Sequence, residues 1–283
     1  MSATSASGSA GARRRGAANA PAAGPLSRFD PVLLVLSPPR CASTVLARAL
    51  WNHTLFRWYL HEPYDRGYHH GADGPDPLRA ALAGRLDRQR LAHDVSGHAN
   101  GLVVKEMTFQ AGAHLEQLVS AATLPVVFTL REPRLAVRSR MRQRARGGAA
   151  PGFPAREAGW DDLRRAWRHV RAAGIDHVIV DMTRLSRDPA SLVPLLCARL
   201  GIDFSERLLS WPAITGAPLG RLGDEQAHWY ERVLASRGFE PLGGDGASGA
   251  GAGPPADPDL EDRLREWTAL HHEMLAAPEA LVR

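Results

Sequence analysis

Four clusters in this chain carry residue types that grip anions or move a proton. The first is Arg40-Cys41-Ala42-Ser43-Thr44, a guanidinium and two hydroxyls beside a short run of backbone. It follows the apolar run Val32–Leu36 and the stop Ser37-Pro38-Pro39, and it precedes a helical period at Val45, Leu46, Ala49 and Leu50. Strand, tight turn and helix in that order aim free backbone N–H groups and a positive helix end at one point. That makes a cradle for a phosphate-like anion; without a ligand it reads as a helix capped by Ser43 or Thr44. The second cluster is Arg131 with Ser139. Arg131 ends the apolar run Leu124–Leu130, and Ser139 sits in the second turn of the helix that Pro133 opens. The two can face one anion, which a guanidinium matches with paired charge-assisted hydrogen bonds. The third is Glu62, after Phe56–His61. The fourth is Lys105, after Gly101–Val104. Both stand at the carboxyl ends of expected strands, where ligands bind in parallel sheets. The plain alternatives are a solvated loop carboxylate and a snorkelling lysine.

These residues need elements to position them. Val32–Leu36, Phe56–His61, Gly101–Val104, Leu124–Leu130 and His177–Asp181 read as strands. Phe56–His61 is short and aromatic-rich; the other runs are largely apolar rather than alternating, as in a sheet covered on both faces. Helices are expected from the cradle to His53, over Asp76–Ala92, His114–Ala121, Leu135–Met141, Asp161–Ala173, Asp188–Leu200, Asp224–Arg237 and Asp259–Ala277. Glu62–His70 reads as a polar, aromatic loop, and Ser210–Gly223 as an irregular substrate loop or lid. Strands alternating with helices predict a three-layer α/β/α sandwich with a central parallel sheet. The expected organisation is a disordered tail (1–25), an α/β domain (26–240), a flexible Gly/Ala/Pro linker (241–258) and a C-terminal helix (259–283) packed on the domain.

The totals narrow the classes. The 283 residues are 44 % apolar, ordinary for a globular protein. No apolar run approaches the length of a membrane span, and Arg13-Arg14-Arg15 leads into no apolar stretch, so no secretory signal is expected. Of the 2 cysteines, Cys41 lies in the cradle; this argues against a disulfide framework and fits a reducing cytoplasm. Cys/His metal-ligand spacing is absent, and His69-His70 reads as an exposed pair. The net charge of +5 is arginine throughout, with Lys105 the sole lysine. The excess of Arg, Ala and Gly matches the codon bias of a GC-rich bacterial genome, so most of the arginines of 138–146 read as a solvated helix face. A composition that replaces Lys with Arg, yet spares one Lys, makes Lys105 informative. Basic balance alone also admits nucleic-acid binding, but no aromatic-interleaved basic strand or binding motif supports it.

Taken together, these clusters resemble the sulfotransferases that use PAPS (3′-phosphoadenosine 5′-phosphosulfate), over roughly Val32–Phe204. Pro39-Arg40-Cys41-Ala42-Ser43-Thr44 is similar to that family's 5′-phosphosulfate loop. Leu130-Arg131-Glu132-Pro133 through Ser139 is similar to its 3′-phosphate motif, an Arg and a Ser eight positions apart. Val180-Asp181-Met182, Asp188-Pro189 and Leu200-Gly201-Ile202 resemble the end of its core. Two positions depart from the pattern. Ala42 stands where the family's loop has Gly, which permits positive φ. Met107 stands where the cytosolic branch has its catalytic His; His61-Glu62-Pro63 resembles the branches that use Glu instead.

The resemblance implies sulfuryl transfer from PAPS to a hydroxyl or amine of a small-molecule acceptor, without a metal and within a P-loop-like sulfotransferase architecture. Cys41, Ala42, Ser43 and Thr44 would hold the 5′-phosphosulfate, Arg40 and Lys105 would neutralise charge, and Arg131 and Ser139 would hold the 3′-phosphate. Glu62, with a raised pKa, would be the base, and Glu106 the second choice. No adenine-stacking aromatic is assigned; Val45 takes one common place for it. The acceptor would meet Pro63–Gly71 and Trp211–Gly223, with Tyr64 and Tyr68 suited to a flat or sugar-like small molecule and a peptide as the alternative; the composition alone suggests a bacterial natural product. A homodimer is compatible with the sequence, which fixes no oligomeric state. The rivals are a sulfotransferase fold that no longer sulfonates and a P-loop kinase, which would need Gly-x-x-x-x-Gly-Lys-Ser/Thr.

Overall fold

The computed structural model describes residues 24–71, 74, 76–84, 86–88, 99–213, 227–242 and 258–281. Most of the expected tail, residues 214–223 of the expected lid and residues 243–257 of the expected linker lie outside them.

Six strands form one sheet: β1 (Val32–Ser37), β2 (Phe56–His61), β3 (Leu86–Arg88), β4 (Gly101–Met107), β5 (Val126–Leu130) and β6 (His177–Asp181), in the order β3-β2-β4-β1-β5-β6. Five strands run parallel, and β3 is antiparallel to β2 at the edge. The unbroken apolar runs have the expected cause. Val32, Leu34 and Leu36 enter one core while Leu33 and Val35 enter the other, so both faces of β1 are dry. The first core is closed by helices that include α3 (Pro77–Gly84), α5 (Leu115–Ser120), α6 (Pro133–Arg146), α7 (Trp160–Ala172) and α11 (Pro258–Leu275). The second is closed by α1 (Ser43–Trp51), α8 (Met182–Leu185), α9 (Pro189–Leu200) and α10 (Ala227–Ala235). Two short helices, α2 (Asp65–His70) and α4 (Thr108–Ala111), follow β2 and β4. The architecture is therefore the three-layer α/β/α sandwich.

Local departures from expectation have local causes. The helix expected over Asp76–Ala92 ends at Gly84. The apolar Leu86 then pairs with Leu60 across β2, supplying the edge strand that helical periodicity concealed. The loop expected over Glu62–His70 contains the six-residue α2. Strand β4 runs on to Met107, so Lys105 and Glu106 lie within it and point to opposite faces. Beyond α11, Ala280 bridges Ile179 in parallel, with Ile179 N–H donating to Glu279 and Leu281 N–H donating to Ile179. The end of the chain thus covers the β6 edge.

Because β1 lies between β4 and β5, the chain moves out to β2 and back to β4 before crossing to β5. That change of direction opens a crevice at the strands' carboxyl ends. The cradle, Glu62, Lys105 and Arg131 all follow or end those strands, so topology alone delivers them to one edge.

Candidate active site

A cleft of about 1150 Å³ opens at that edge. Arg40, Ala42, Ser43, Thr44, Glu62, Lys105, Arg131 and Ser139 all line it. Arg40, Ala42 and Glu62 have φ of 64°, 56° and 43°, the positive-φ non-glycine residues among those described. Each costs on the order of 1 kcal/mol, and such strain collects at functional sites.

The cradle is built by the helix start. α1 begins at Ser43, with left-handed Ala42 as its N-cap and no side-chain cap, so Ser43 and Thr44 are not spent as caps. The family's Gly position is thus filled by an alanine that keeps the glycine-like conformation. Ser37 Oγ donates to Ser43 Oγ at 2.7 Å, tying the strand end to the helix start. Cys41 is fully buried, with Sγ 3.7 Å from the Pro39 carbonyl, and burial pushes its thiol up to about 12. It stays protonated at neutral pH.

Arg40 reaches from the cradle across to α6, where Nε donates to Ser139 Oγ at 3.2 Å. One contact therefore joins the two expected anion positions. The Arg40 guanidinium lies 5.8 Å from the Trp229 ring centroid, and Nη1 reaches the Trp229 carbonyl at 3.5 Å. Burial lowers its pKa. Arg131 is buried at the end of β5, close enough to Cys41 and Arg40 to influence both electrostatically. Arg142 and Arg144 also line the cleft, so part of the basic helix borders it.

Glu62 and Lys105 form a buried pair, their side chains 1 % and 2 % exposed, with Nζ on Oε1. The snorkelling alternative for Lys105 is thereby excluded. Tyr230 Oη donates to the same Oε1 at 2.8 Å, and His61 Nε2 stands 3.4 Å from it. Gln110 Nε2 donates to Asp65 Oδ1 at 2.6 Å and lies 3.4 Å from Glu62 Oε2. Burial raises the Glu62 carboxyl, but Lys105 beside it, then His61 and Tyr230, outweigh burial and hold it at about 2. The raised value expected for a resting base is therefore not found.

Glu106, the second choice, faces away from the cleft. Its carboxyl accepts from Tyr64 N–H at 2.9 Å and Met107 N–H at 2.7 Å. Burial, with Glu62 adding to it, raises its pKa well above the usual carboxylate range. It fixes the loop that carries Glu62. Tyr64 is likewise buried, stacked on His114 at 5.1 Å, and neither it nor Tyr68 lines the cleft. Asp65, His69, His70, Met107 and Phe109 also line the cleft.

Sequence reading missed Tyr230 and Trp229. They arrive on α10, Tyr230 being 168 residues beyond Glu62, with no motif around them. The one available signal was an adjacent aromatic pair on a short amphipathic helix.

A family model described as sulfotransferase domain matches residues 32–252. Among solved structures, the sulfotransferase domain from the Synechococcus PCC 7002 olefin synthase is 17 % identical, covering 85 % of this chain and 95 % of that one at a TM-score of 0.48. The sulfotransferase domain from the curacin biosynthetic pathway is 16 % identical, covering 76 % of this chain and 86 % of that one at a TM-score of 0.43. No curated protein sequence matches the chain.

Proposed function

The chain belongs to the sulfotransferase domain family, and on that premise we propose that it moves a sulfuryl group from PAPS to a hydroxyl or amine of a small-molecule acceptor. The observation that carries this reading is the 3.2 Å contact between Arg40 and Ser139, a bridge from the cradle to α6 within one cleft. The donor set fits a nucleotide with two anionic groups: Arg40, Lys105 and Arg131 are cations, and Ser43, Thr44 and Ser139 are hydroxyls, all lining one cleft. When bound, PAPS would supply the activated sulfuryl group. Backbone N–H groups of Cys41 to Thr44, with the Ser43 and Thr44 hydroxyls, hold the 5′-phosphosulfate. Arg40 and Lys105 neutralise the charge that grows on the departing phosphate as the acceptor oxygen or nitrogen bonds to sulfur and the sulfur–oxygen bond to phosphate breaks. Arg131 and Ser139 grip the 3′-phosphate and so select PAPS over ATP.

Glu62 takes the acceptor proton. Its low resting pKa has one main cause, Lys105, the same cation assigned to the transferring group. A bound anion that draws Lys105 away leaves burial as the dominant influence and lifts the carboxyl toward a useful base. The alternative, a fold that binds nucleotide without transfer, draws on Ala42 and Met107; Ala42 adopts the left-handed conformation regardless, and Glu62 shares the cleft with Met107.

Transfer of radiolabelled sulfate from PAPS to p-nitrophenol tests the reading. Glu62→Gln is expected to keep nucleotide affinity and lose turnover. Full turnover by Glu62→Gln would place the base elsewhere.

A further inference from the structure

We propose that Tyr230 is the positioning residue for Glu62, holding the carboxylate toward the acceptor after Lys105 has turned to the nucleotide. This rests on the sulfotransferase reading of the cleft.

Three groups converge on Glu62 Oε1: Lys105, His61 and Tyr230. Lys105 is a cation that the nucleotide's charge competes for. Tyr230 is different in kind. Its phenol is neutral, donates at 2.8 Å, and has no negative or positive charge for an anion to pull on. Burial and the Glu62 carboxylate together push its pKa well above the usual phenol range, so it donates and does not compete as a base. A neutral donor fixes a rotamer without cancelling the charge that makes the carboxylate basic.

The phenol is itself held from several sides. The His61 ring meets it edge to face at 4.9 Å, and Tyr59 Oη lies 2.7 Å from His61 Nδ1, so β2 forms a pedestal beneath it. From α1, the buried Arg48 grips the Val233 carbonyl and, at 3.4 Å, the Leu234 carbonyl in the last turn of α10, and also the Pro212 carbonyl, from the segment preceding that helix, at 2.6 Å. A cation on the carbonyl end of a helix is the favourable placement. One residue before Tyr230, the Trp229 carbonyl meets Arg40. Helix α10 is thus clamped at both ends between the cradle's helix and the base. Among the described residues, Lys105, His61, Glu106, Asp65, Arg140, Arg40 and Tyr59 are charged or titratable groups that face Glu62 or its hydrogen-bond partners. Substitution at position 230 leaves all of them in place.

The test compares wild type, Tyr230→Phe, Glu62→Gln and the double variant. Binding of the desulfonated nucleotide is followed by calorimetry, and its release from PAPS with water or p-nitrophenol as acceptor by kinetics. Tyr230→Phe is expected to bind the nucleotide within about twofold of wild type and to lose about 10- to 100-fold in kcat. The acid limb of its kcat profile is expected to rise by about one pH unit, because the anion of Glu62 has lost a donor. In the Glu62→Gln background the same substitution is expected to cost nothing further. An unmoved acid limb, or losses that multiply in the double variant, would overturn the proposal. Should Tyr230→Phe fail to fold, 3-fluorotyrosine at position 230 keeps the shape and strengthens the donor; the limb must then move down, and a static limb overturns the proposal. Failure of wild type to bind the nucleotide would remove the sulfotransferase reading instead. The tie between Tyr230 and Glu62 is then judged by thermal denaturation of the same four proteins, where additive shifts overturn it.

Discussion

Lys105→Met is expected to destabilise the protein at neutral pH, and Glu62→Gln in the same chain is expected to restore much of the loss. The pair is almost completely buried. Removing Lys105 leaves Glu62 as a buried carboxylate supported by Tyr230, His61 and Gln110. Stripping one partner from a buried ion pair costs about 3–5 kcal/mol. The carboxyl's displacement gives a similar figure: from 4.5 to about 2 is about 3 kcal/mol. The pH dependence has a definite sign. In wild type the folded-state value lies below the ordinary one, so this stabilisation is present above about pH 4.5 and is lost as pH falls toward 2. In Lys105→Met burial dominates and raises the carboxyl, so protonation relieves the variant, and its deficit narrows as pH falls from about 7 toward about 4. Urea denaturation followed by tryptophan fluorescence measures both. A Lys105→Met protein as stable as wild type at neutral pH would refute the reasoning. So would a double variant no better than the single.

Three further outcomes follow from the packing. Gly159, at φ 77°, would set a Cβ 2.9 Å from Thr108 Oγ1 and 3.0 Å from Pro39 Cδ; Gly159→Ala is therefore expected to destabilise the fold by roughly 1–3 kcal/mol and weaken nucleotide binding by displacing Pro38-Pro39, and an unchanged melting curve would contradict this. Arg48→Met is expected to cost roughly 2–3 kcal/mol and to speed proteolysis around α10, because the Val233 and Pro212 carbonyls lose their donor; unaltered protease resistance would tell against it. His271, on α11, is buried beside Trp160 and His272, both its ring nitrogens lack a partner among the described residues, and burial lowers its pKa below 6.5 despite Asp181 and Glu132 nearby. The folded state then resists protonation, so stability is present above about pH 6.5 and falls on acidification; His271→Phe is expected to flatten that slope between about pH 7 and 5, and an identical slope in both proteins would refute it.

What was legible in the sequence divides by physical cause. β1, β4, β5 and β6 announce themselves because both their faces are buried and their apolar runs are continuous. The strand, turn and helix start at Val32–Trp51 are legible because apolar run, proline stop, arginine and hydroxyls are contiguous, and the placement of Arg131 and Ser139 on one cleft is legible because only a helix start separates them. Leu86–Arg88 was not legible, since three residues of edge strand resemble the end of the preceding helical period. The state of Glu62 was not legible either. Its position after β2 follows from order along the chain, but its charge balance depends on Lys105 from β4 and Tyr230 from α10, residues that only the tertiary fold brings together. Tyr64 misled for the same reason: its aromatic ring suits a ligand by composition, yet the packing against His114 claims it.

Calorimetry with 3′-phosphoadenosine 5′-phosphate and adenosine 5′-phosphate, on wild type and Arg131→Ala, tests the central claim most directly. The account predicts that wild type prefers the nucleotide bearing the 3′-phosphate. Arg131→Ala should lose roughly 2–5 kcal/mol of that binding and leave the weaker binding of adenosine 5′-phosphate nearly unchanged. Equal affinity of wild type for the two nucleotides, or an Arg131→Ala protein that binds the 3′-phosphorylated one as well as wild type, would contradict it.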